Sequence, residues 1–468
     1  MKRHFFGMMA AILVCGSAVF TSCSNDDDNS SSAEEKKGGA DRQEFVAHTR
    51  QNLKEVAENL NFSTWNSLNF FNTNINQYLM LNDDFDKTIS RTLGQEIQKS
   101  IAPLPAAVVE KTGKKYAATV NLADFDYIFT ATETGFDVTP NTEDGLIVDI
   151  TDPYNPECSA KISLVGSGEE YELLSERMSN DSVGVIIRIP AHYDFTLSTK
   201  QGGEWVPAVT VSTDLTVNRA EYDDPDLPAD AADIKKDAWN LKGTLKSAIP
   251  GDAIDLVFNI GQDPRTHKAG MTFDYAHNSK KMIGVRAELA NTNGMTDLSM
   301  LTNSSSIMDI VQAIMLGNSV DNMQITLLDD LTTTLKVTDC EKVLEIQDAM
   351  ASARRSYADQ ATIDGYVSEL NKYISGSMTC KGVSQTIPMK MQTTKIGVDW
   401  WAAPALKFAD EDSYVTLNDM LDRESVEYGL NIVDHAAEPM QQSIITVRQL
   451  MQALQKLQTA FFNSKESK

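Results

Sequence analysis

Little in this sequence points to a reaction. Its 468 residues hold five cysteines and six histidines, and no two cysteines form the C-x-x-C pair that redox and zinc-ribbon sites use. H-E-x-x-H, G-x-x-x-x-G-K-[ST], G-x-S-x-G, G-x-G-x-x-G and the EF-hand loop are all missing, so no zinc protease, phosphate loop, nucleophile elbow or dinucleotide site is signalled. A hydrolase built on paired carboxylates leaves no local signature and stays open. Basic residues are also scarce, 41 Lys and Arg against 66 Asp and Glu, a formal charge of −25. That balance repels nucleic acid and anionic lipid headgroups. The one long apolar run, Phe5 to Val14, is too short to cross a bilayer as a mature helix and is preceded by Lys2 and Arg3, as in a secretory signal.

The residues just after that run are more specific. Thr21 and Ser22 precede Cys23, and Ser24, Asn25 and Asp26 to Asp28 come after it. This leader resembles that of bacterial lipoproteins, with the acidic flag of the surface-exposed Bacteroidota type; Phe20 stands where Leu or Val is usual. The resemblance covers the leader alone. It implies cleavage before Cys23, a diacylglycerol on its thiol, and a protein lipid-anchored in the outer membrane and facing outward. Several acyl chains, each CH2 contributing about 0.8 kcal/mol, would hold it there firmly. Loss of Lys2 and Arg3 would make the chain two charges more negative.

The chain then divides by pattern. Residues 1–22 are the signal and 23–40 a flexible tether, since Ser30 to Ser32 and Glu34 to Gly39 offer no apolar period to bury. Residues 41–105 read as helical: Val46, Leu53, Val56 and Leu60, then Phe85, Ile89, Leu93, Ile97 and Ile101, recur at helical steps until Pro103 and Pro105. A rich apolar stretch from Trp65 to Leu79 lies between. Residues 106–300 alternate with period two, as in Val183, Val185, Ile187 and Ile189, Val209 to Val217, Ile254 to Ile260, Met271 to Tyr275 and Ile283 to Leu289, with turn signals between them. Residues 301–468 are mixed: a short helix through Ile307 and Ile314, a helix opened by a capping box at Thr338 to Glu341, another through Ile363 to Ile374 closed by Gly376, strands near Thr386 to Val398, and a C-terminal helix from Val447 to Phe461. The fold expected is α+β, a long antiparallel β-meander forming a curved sheet covered by long amphipathic helices. In outline that is similar to the curled-sheet lipid carriers of bacterial envelopes, an analogy of fold alone.

Candidate sites are few. Asp223, Asp224 and Asp226, with Asp230 and Asp233, gather oxygen ligands that suit Ca2+ outside the cell; the alternative is a solvated acidic loop. Asp434, His435 and Glu438 place two metal-ligand types three residues apart, short of the three or four ligands a site needs. His192, His267 and His277 read as turn or strand-end residues. Cys158, Cys340 and Cys380 read as small buried hydrophobes, with room for one disulfide. In Asp399-Trp400-Trp401 adjacent indoles on a strand point to opposite faces, so one can enter the core while the other stacks on a sugar or an apolar ligand. The function these features suggest is a non-catalytic surface lipoprotein binding a hydrophobic, amphipathic or carbohydrate ligand, with a carboxylate-dependent hydrolase and an adhesive surface protein as alternatives.

Overall fold

The computed structural model describes residues 39–59, 83–132, 135–151, 159–175, 182–218, 229–230, 238–247, 253–263, 265–290, 319–396, 398–429 and 432. The Trp65 to Leu79 stretch, the Ile307 and C-terminal helices, Cys23, Cys158, Asp223, Asp224, Asp226, Asp233, Asp434, His435 and Glu438 lie outside them. The described helices are α1 (Ala40–Asn59), α2 (Asp83–Ser100), α3 (Ala106–Thr112), α4 (Cys340–Arg355), α5 (Gln360–Tyr373) and α6 (Leu417–Met420). None is long and apolar enough to cross a membrane.

The chain forms two compact units. The strands of one are β1 (Ala102–Pro103), β2 (Tyr116–Asn121), β3 (Tyr127–Thr132), β4 (Gly135–Pro140), β5 (Leu146–Ile150), β6 (Ala160–Ser175), β7 (Val183–Gln201), β8 (Glu204–Asn218), β9 (Ala229–Asp230), β10 (Ala238–Ser247) and β11 (Ile254–Asp263). The strands of the other are β12 (Lys268–His277), β13 (Lys280–Ala290), β14 (Ser319–Leu327), β15 (Leu331–Val337), β16 (Ile374–Cys380), β17 (Val383–Ile396), β18 (Asp399–Leu406) and β19 (Val415–Thr416). This corrects the expected class. Among the described residues nineteen strands with mixed pairing dominate, the helices are few and at most 20 residues long, and no long helices cover a single meander. The physical reason is that period-two patterning persists over spans as long as the 19 residues of β7. Strands of that length satisfy their backbone with one another and leave helices a minor share.

The β1–β11 unit turns on β7. Its first half, Val183 to Arg188, runs parallel to β2, while His192 to Gln201 pairs antiparallel with β8, and β6 lines its other side along nearly its whole length. The change of partner falls at Pro190, which has no N–H to give a ladder. Opposite it, Gly168 and Glu169 together face the single residue Ala191 between the pairs Ser167↔His192 and Glu170↔Pro190, a bulge that Gly168 makes with φ 88°. Beyond β8 come β10 and β11, with Val209, Val211, Leu245, Ile254 and Leu256 buried.

In the β12–β19 unit, consecutive strands pair antiparallel from β12 to β19. β15 alternates cleanly: Leu331, Thr333, Leu335 and Val337 are buried between half-exposed Thr332 and Thr334 and exposed Lys336. Between β15 and β16 the chain makes the α4–α5 helical pair. Asp339 caps α4, its carboxylate accepting from the Lys342 amide at 2.9 Å, so the cap lies one residue later than the Thr338 box implies. α5 ends at Tyr373 rather than near Gly376, because Ile374 is drawn into register with Val337, and pairing overrides the helical period.

α1 crosses the tips of three hairpins of this unit. Glu55 ion-pairs with Lys280 at the β12–β13 turn, His48 and Asn52 bond Asp330 at the β14–β15 turn, and Asp41 accepts from Gln385 of β17 at 2.6 Å. The order along α1 follows the order of the hairpins, each contact one or two helical turns from the next. α1 is fixed at other positions too: Phe45 is fully buried edge-on to Phe408 at 5.7 Å, and Arg50 pairs with Asp422 at 3.1 Å.

Candidate functional site

Two places in the β12–β19 unit gather groups with chemical potential, one expected and one not. The expected one is the Trp pair. Asp399 to Leu406 form β18, so Trp400 and Trp401 project to opposite sides of the strand. Trp400 pairs in register with Lys395 of β17, whose Nζ stands 5.6 Å from its ring centre. Trp401 is met by α4: the Arg354 guanidinium lies 3.5 Å from its ring centre, within stacking range. Both indoles are half-buried, so neither enters the core outright and the pair is not one joined surface.

Their surroundings differ. Trp401 Nε1 and Arg354 Nε and Nη1 are shut off from solvent without a hydrogen-bond partner in the protein. Burial pulls the Arg354 pKa down to about 10, against the pull of Asp399 and helped by Arg355. Trp401 is thus occupied by packing. Trp400 stands beside the β17–β18 turn, where Val398 is 80 % exposed, and Lys395 there is exposed as well.

The unexpected place is where α1 meets two hairpin turns. At the β14–β15 turn Leu328 and Asp329 both have φ 53°, a left-handed bend that costs a branched Leu roughly 1 kcal/mol and that leaves Asp330 facing α1. At the β16–β17 turn Gly382 has φ 89°, and a Cβ there would stand 2.8 Å from Glu44 Oε1 and 3.0 Å from His48 Nε2. Only glycine lets that turn approach the helix so closely.

Into this gap point His48, Asp330 and Cys380, whose ligand atoms all lie within 4.8 Å of one another. His48 Nδ1 is 2.9 Å from Asp330 Oδ2 and its Nε2 is 3.2 Å from Glu44 Oε1. Asp330 also accepts from Asn52 Nδ2 at 2.8 Å and from the Lys381 amide at 2.9 Å. Cys380 Sγ lies 4.0 Å from Asp330 Oδ1 and 3.2 Å from the Lys381 carbonyl. The bond to Asp330 raises the His48 pKa, against a smaller effect of burial. Burial works to raise Asp330, but hydrogen bonds from His48, Asn52 and Lys381 outweigh it and hold the carboxyl below its ordinary range. Burial, with the charges of Asp330 and Glu44, pushes the Cys380 thiol up to about 12. Cys340 is also buried and free, its thiol pushed up to about 11.

The chain matches no family model, no curated protein and no solved structure. The chemistry open to the site therefore rests on its own residues.

In the β1–β11 unit, His192 corrects the reading of it as a turn or strand-end residue. It lies well inside β7, between Asp214 at 2.8 Å on Nδ1 and Asp194 at 3.1 Å on Nε2. Ser212 gives its hydroxyl to Asp194 rather than to the imidazole, so this is not the hydroxyl–imidazole pair of a nucleophilic site. Asp230, the one described member of the acidic loop, belongs to β9 beside Leu174.

Proposed function

We propose that the chain is a non-catalytic binding protein, anchored through lipid at Cys23 to the outer membrane, that takes a glycan or amphipathic ligand against Trp400. The observation that supports this is the setting of Trp400: a half-buried indole at a hairpin end, with the exposed Lys395 cross-strand from it and Val398 beside it. An indole face stacks on the C–H face of a sugar or on an acyl chain, and the ammonium adds an electrostatic handle for a carboxylated glycan. In a chain of net charge −25, such a cation is where an acidic ligand meets least repulsion.

The test is binding to a panel of neutral and carboxylated polysaccharides and to neutral lipid vesicles, read by tryptophan fluorescence and by co-sedimentation. Trp400→Ala is expected to weaken binding at least tenfold while the protein keeps its unfolding midpoint. Trp401→Ala is expected to do the reverse, lowering the midpoint by stranding the buried Arg354 while folded protein still binds. Equal binding by Trp400→Ala and wild type, or no binding across the panel, would sink the proposal.

A further inference from the structure

We propose that His48, Asp330 and Cys380 form a binding site for one borderline-soft divalent transition metal ion, of which Zn2+ is the type, that pins α1 to the β14–β15 and β16–β17 turns. Imidazole, carboxylate and thiolate are the three ligand types zinc takes, and three protein ligands with a water in the fourth position complete its tetrahedron, whereas a hard cation such as Ca2+ would want six to eight oxygens instead.

The geometry supports the site in two ways. Two ligands on a tetrahedral ion with bonds of about 2.0–2.3 Å stand roughly 3.5 Å apart; His48 Nδ1 and Asp330 Oδ2 are 2.9 Å apart, and with one ligand atom from each residue all three lie within 4.8 Å of one another, so small side-chain rotations bring them to that spacing. The atoms behind the ligands are already placed as an outer shell places them. Glu44 Oε1 faces His48 Nε2 at 3.2 Å, placed to accept from a proton on Nε2 when Nδ1 gives up its own to an ion. Asn52 and the Lys381 amide orient the carboxylate. Such carboxylate–histidine–metal arrangements are how sites fix ring orientation and raise ligand basicity. Side-chain exposure of 30 % at His48 leaves room for the water.

Binding replaces the His48–Asp330 hydrogen bond with two metal–ligand bonds. The Nδ1 proton of that hydrogen bond and the thiol proton both leave to solvent as Nδ1 and Sγ bond the metal, the ring keeping its Nε2 proton against Glu44. A doubly protonated His48 and the thiol together therefore release two protons per ion. The three ligands come from α1, a turn 282 residues further on and a strand end 50 residues beyond that, so an ion here would cross-link segments that are remote in sequence.

The experiment is a titration of the full-length chain, stripped with chelator, with Zn2+ by calorimetry and with Co2+ by absorption. One ion per chain, a thiolate-to-cobalt charge-transfer band, and a raised unfolding midpoint with Zn2+ are expected. Cys380→Ser should abolish the band and weaken Zn2+ binding at least tenfold, and His48→Gln should weaken it by a similar factor, whereas Cys340→Ser and Cys158→Ser should leave both unchanged. No stoichiometric binding, or a band that survives Cys380→Ser and is lost in Cys158→Ser, would overturn the assignment. Should Cys380→Ser fail to fold, His48→Gln decides alone: retained tight binding by it counts against the site.

Discussion

Two histidines in this protein sit in the same electrostatic setting and are put to different uses. His48 lies between Glu44 and Asp330, His192 between Asp194 and Asp214; both pKa values are raised by their carboxylate neighbours, and their side chains are 30 % and 29 % exposed. The carboxylates tell them apart. Asp330 is 13 % exposed and takes further hydrogen bonds from Asn52 and the Lys381 amide, while Asp194 and Asp214 are 57 % and 66 % exposed on neighbouring strands. A raised histidine pKa therefore marks a nearby carboxylate and no more. What makes a site is a carboxylate held from several sides by segments that meet only in the fold, with a soft ligand beside it.

The sharpest way to break this comparison is to remove the carboxylate at each place. Asp330→Ala strands Asn52 Nδ2, the Lys381 amide and His48 at a partly buried junction, and each unsatisfied group costs about 1–3 kcal/mol. Denaturant unfolding should show a loss of about 2–4 kcal/mol. Asp214→Ala, which removes one exposed partner, should cost no more than about 1 kcal/mol. Equal losses would mean that Asp330 is another surface carboxylate and that α1 is held by its apolar stripe alone.

A glycine pair gives a smaller effect with opposite signs. Gly382→Ala meets both a φ of 89° and two atoms of α1 at 2.8 and 3.0 Å, and should destabilise by about 1–2 kcal/mol. Gly365, inside α5, has nothing within 4 Å of a Cβ, and Gly365→Ala should stabilise by about 0.5–1 kcal/mol through helix propensity. Thermal midpoints moving in opposite directions would confirm that the β16–β17 turn is shaped by its approach to α1; a neutral Gly382→Ala would show slack in that contact.

How much of this could be read from the residues differs by element. α1 and the core strands announce themselves, since Leu53 and Val56 keep helical steps and β15 alternates without a break. The partner change in β7 does not. The alternating run is read only from Val183 to Ile189 with His192 at a turn or strand end, whereas β7 runs on past Pro190, opposite the bulge at Gly168 on another strand, and carries His192 inside it. Gly376 reads as a helix stop for a like reason: its register with Leu335 and Met389 is set by strands outside the local window. The Trp400–Trp401 pair is legible as two opposed faces, though that Arg354 claims one indole is not. The His48–Asp330–Cys380 group leaves no local trace, because its members keep no common spacing. The left-handed Leu328–Asp329 bend that aims Asp330 carries no glycine to betray it.

The least of the expected effects tests the His192 side of the comparison. Its folded pKa is raised, first by the bond to Asp214 and then, against burial, by Asp194. The stabilisation it supplies is fully present below the unfolded value of 6.5 and is lost as pH rises through the folded value. His192→Gln should therefore be less stable than wild type near about pH 5, by a few tenths of a kcal/mol because the partners are exposed, and equal to it near about pH 9. Raising salt to about 1 M, where the screening length falls to roughly 3 Å, should shrink the acid-side gap. A gap that stays the same at both pH values would assign the contribution to packing of the imidazole between β6 and β8. His192 would then owe its place to shape, and its two carboxylates would be bystanders.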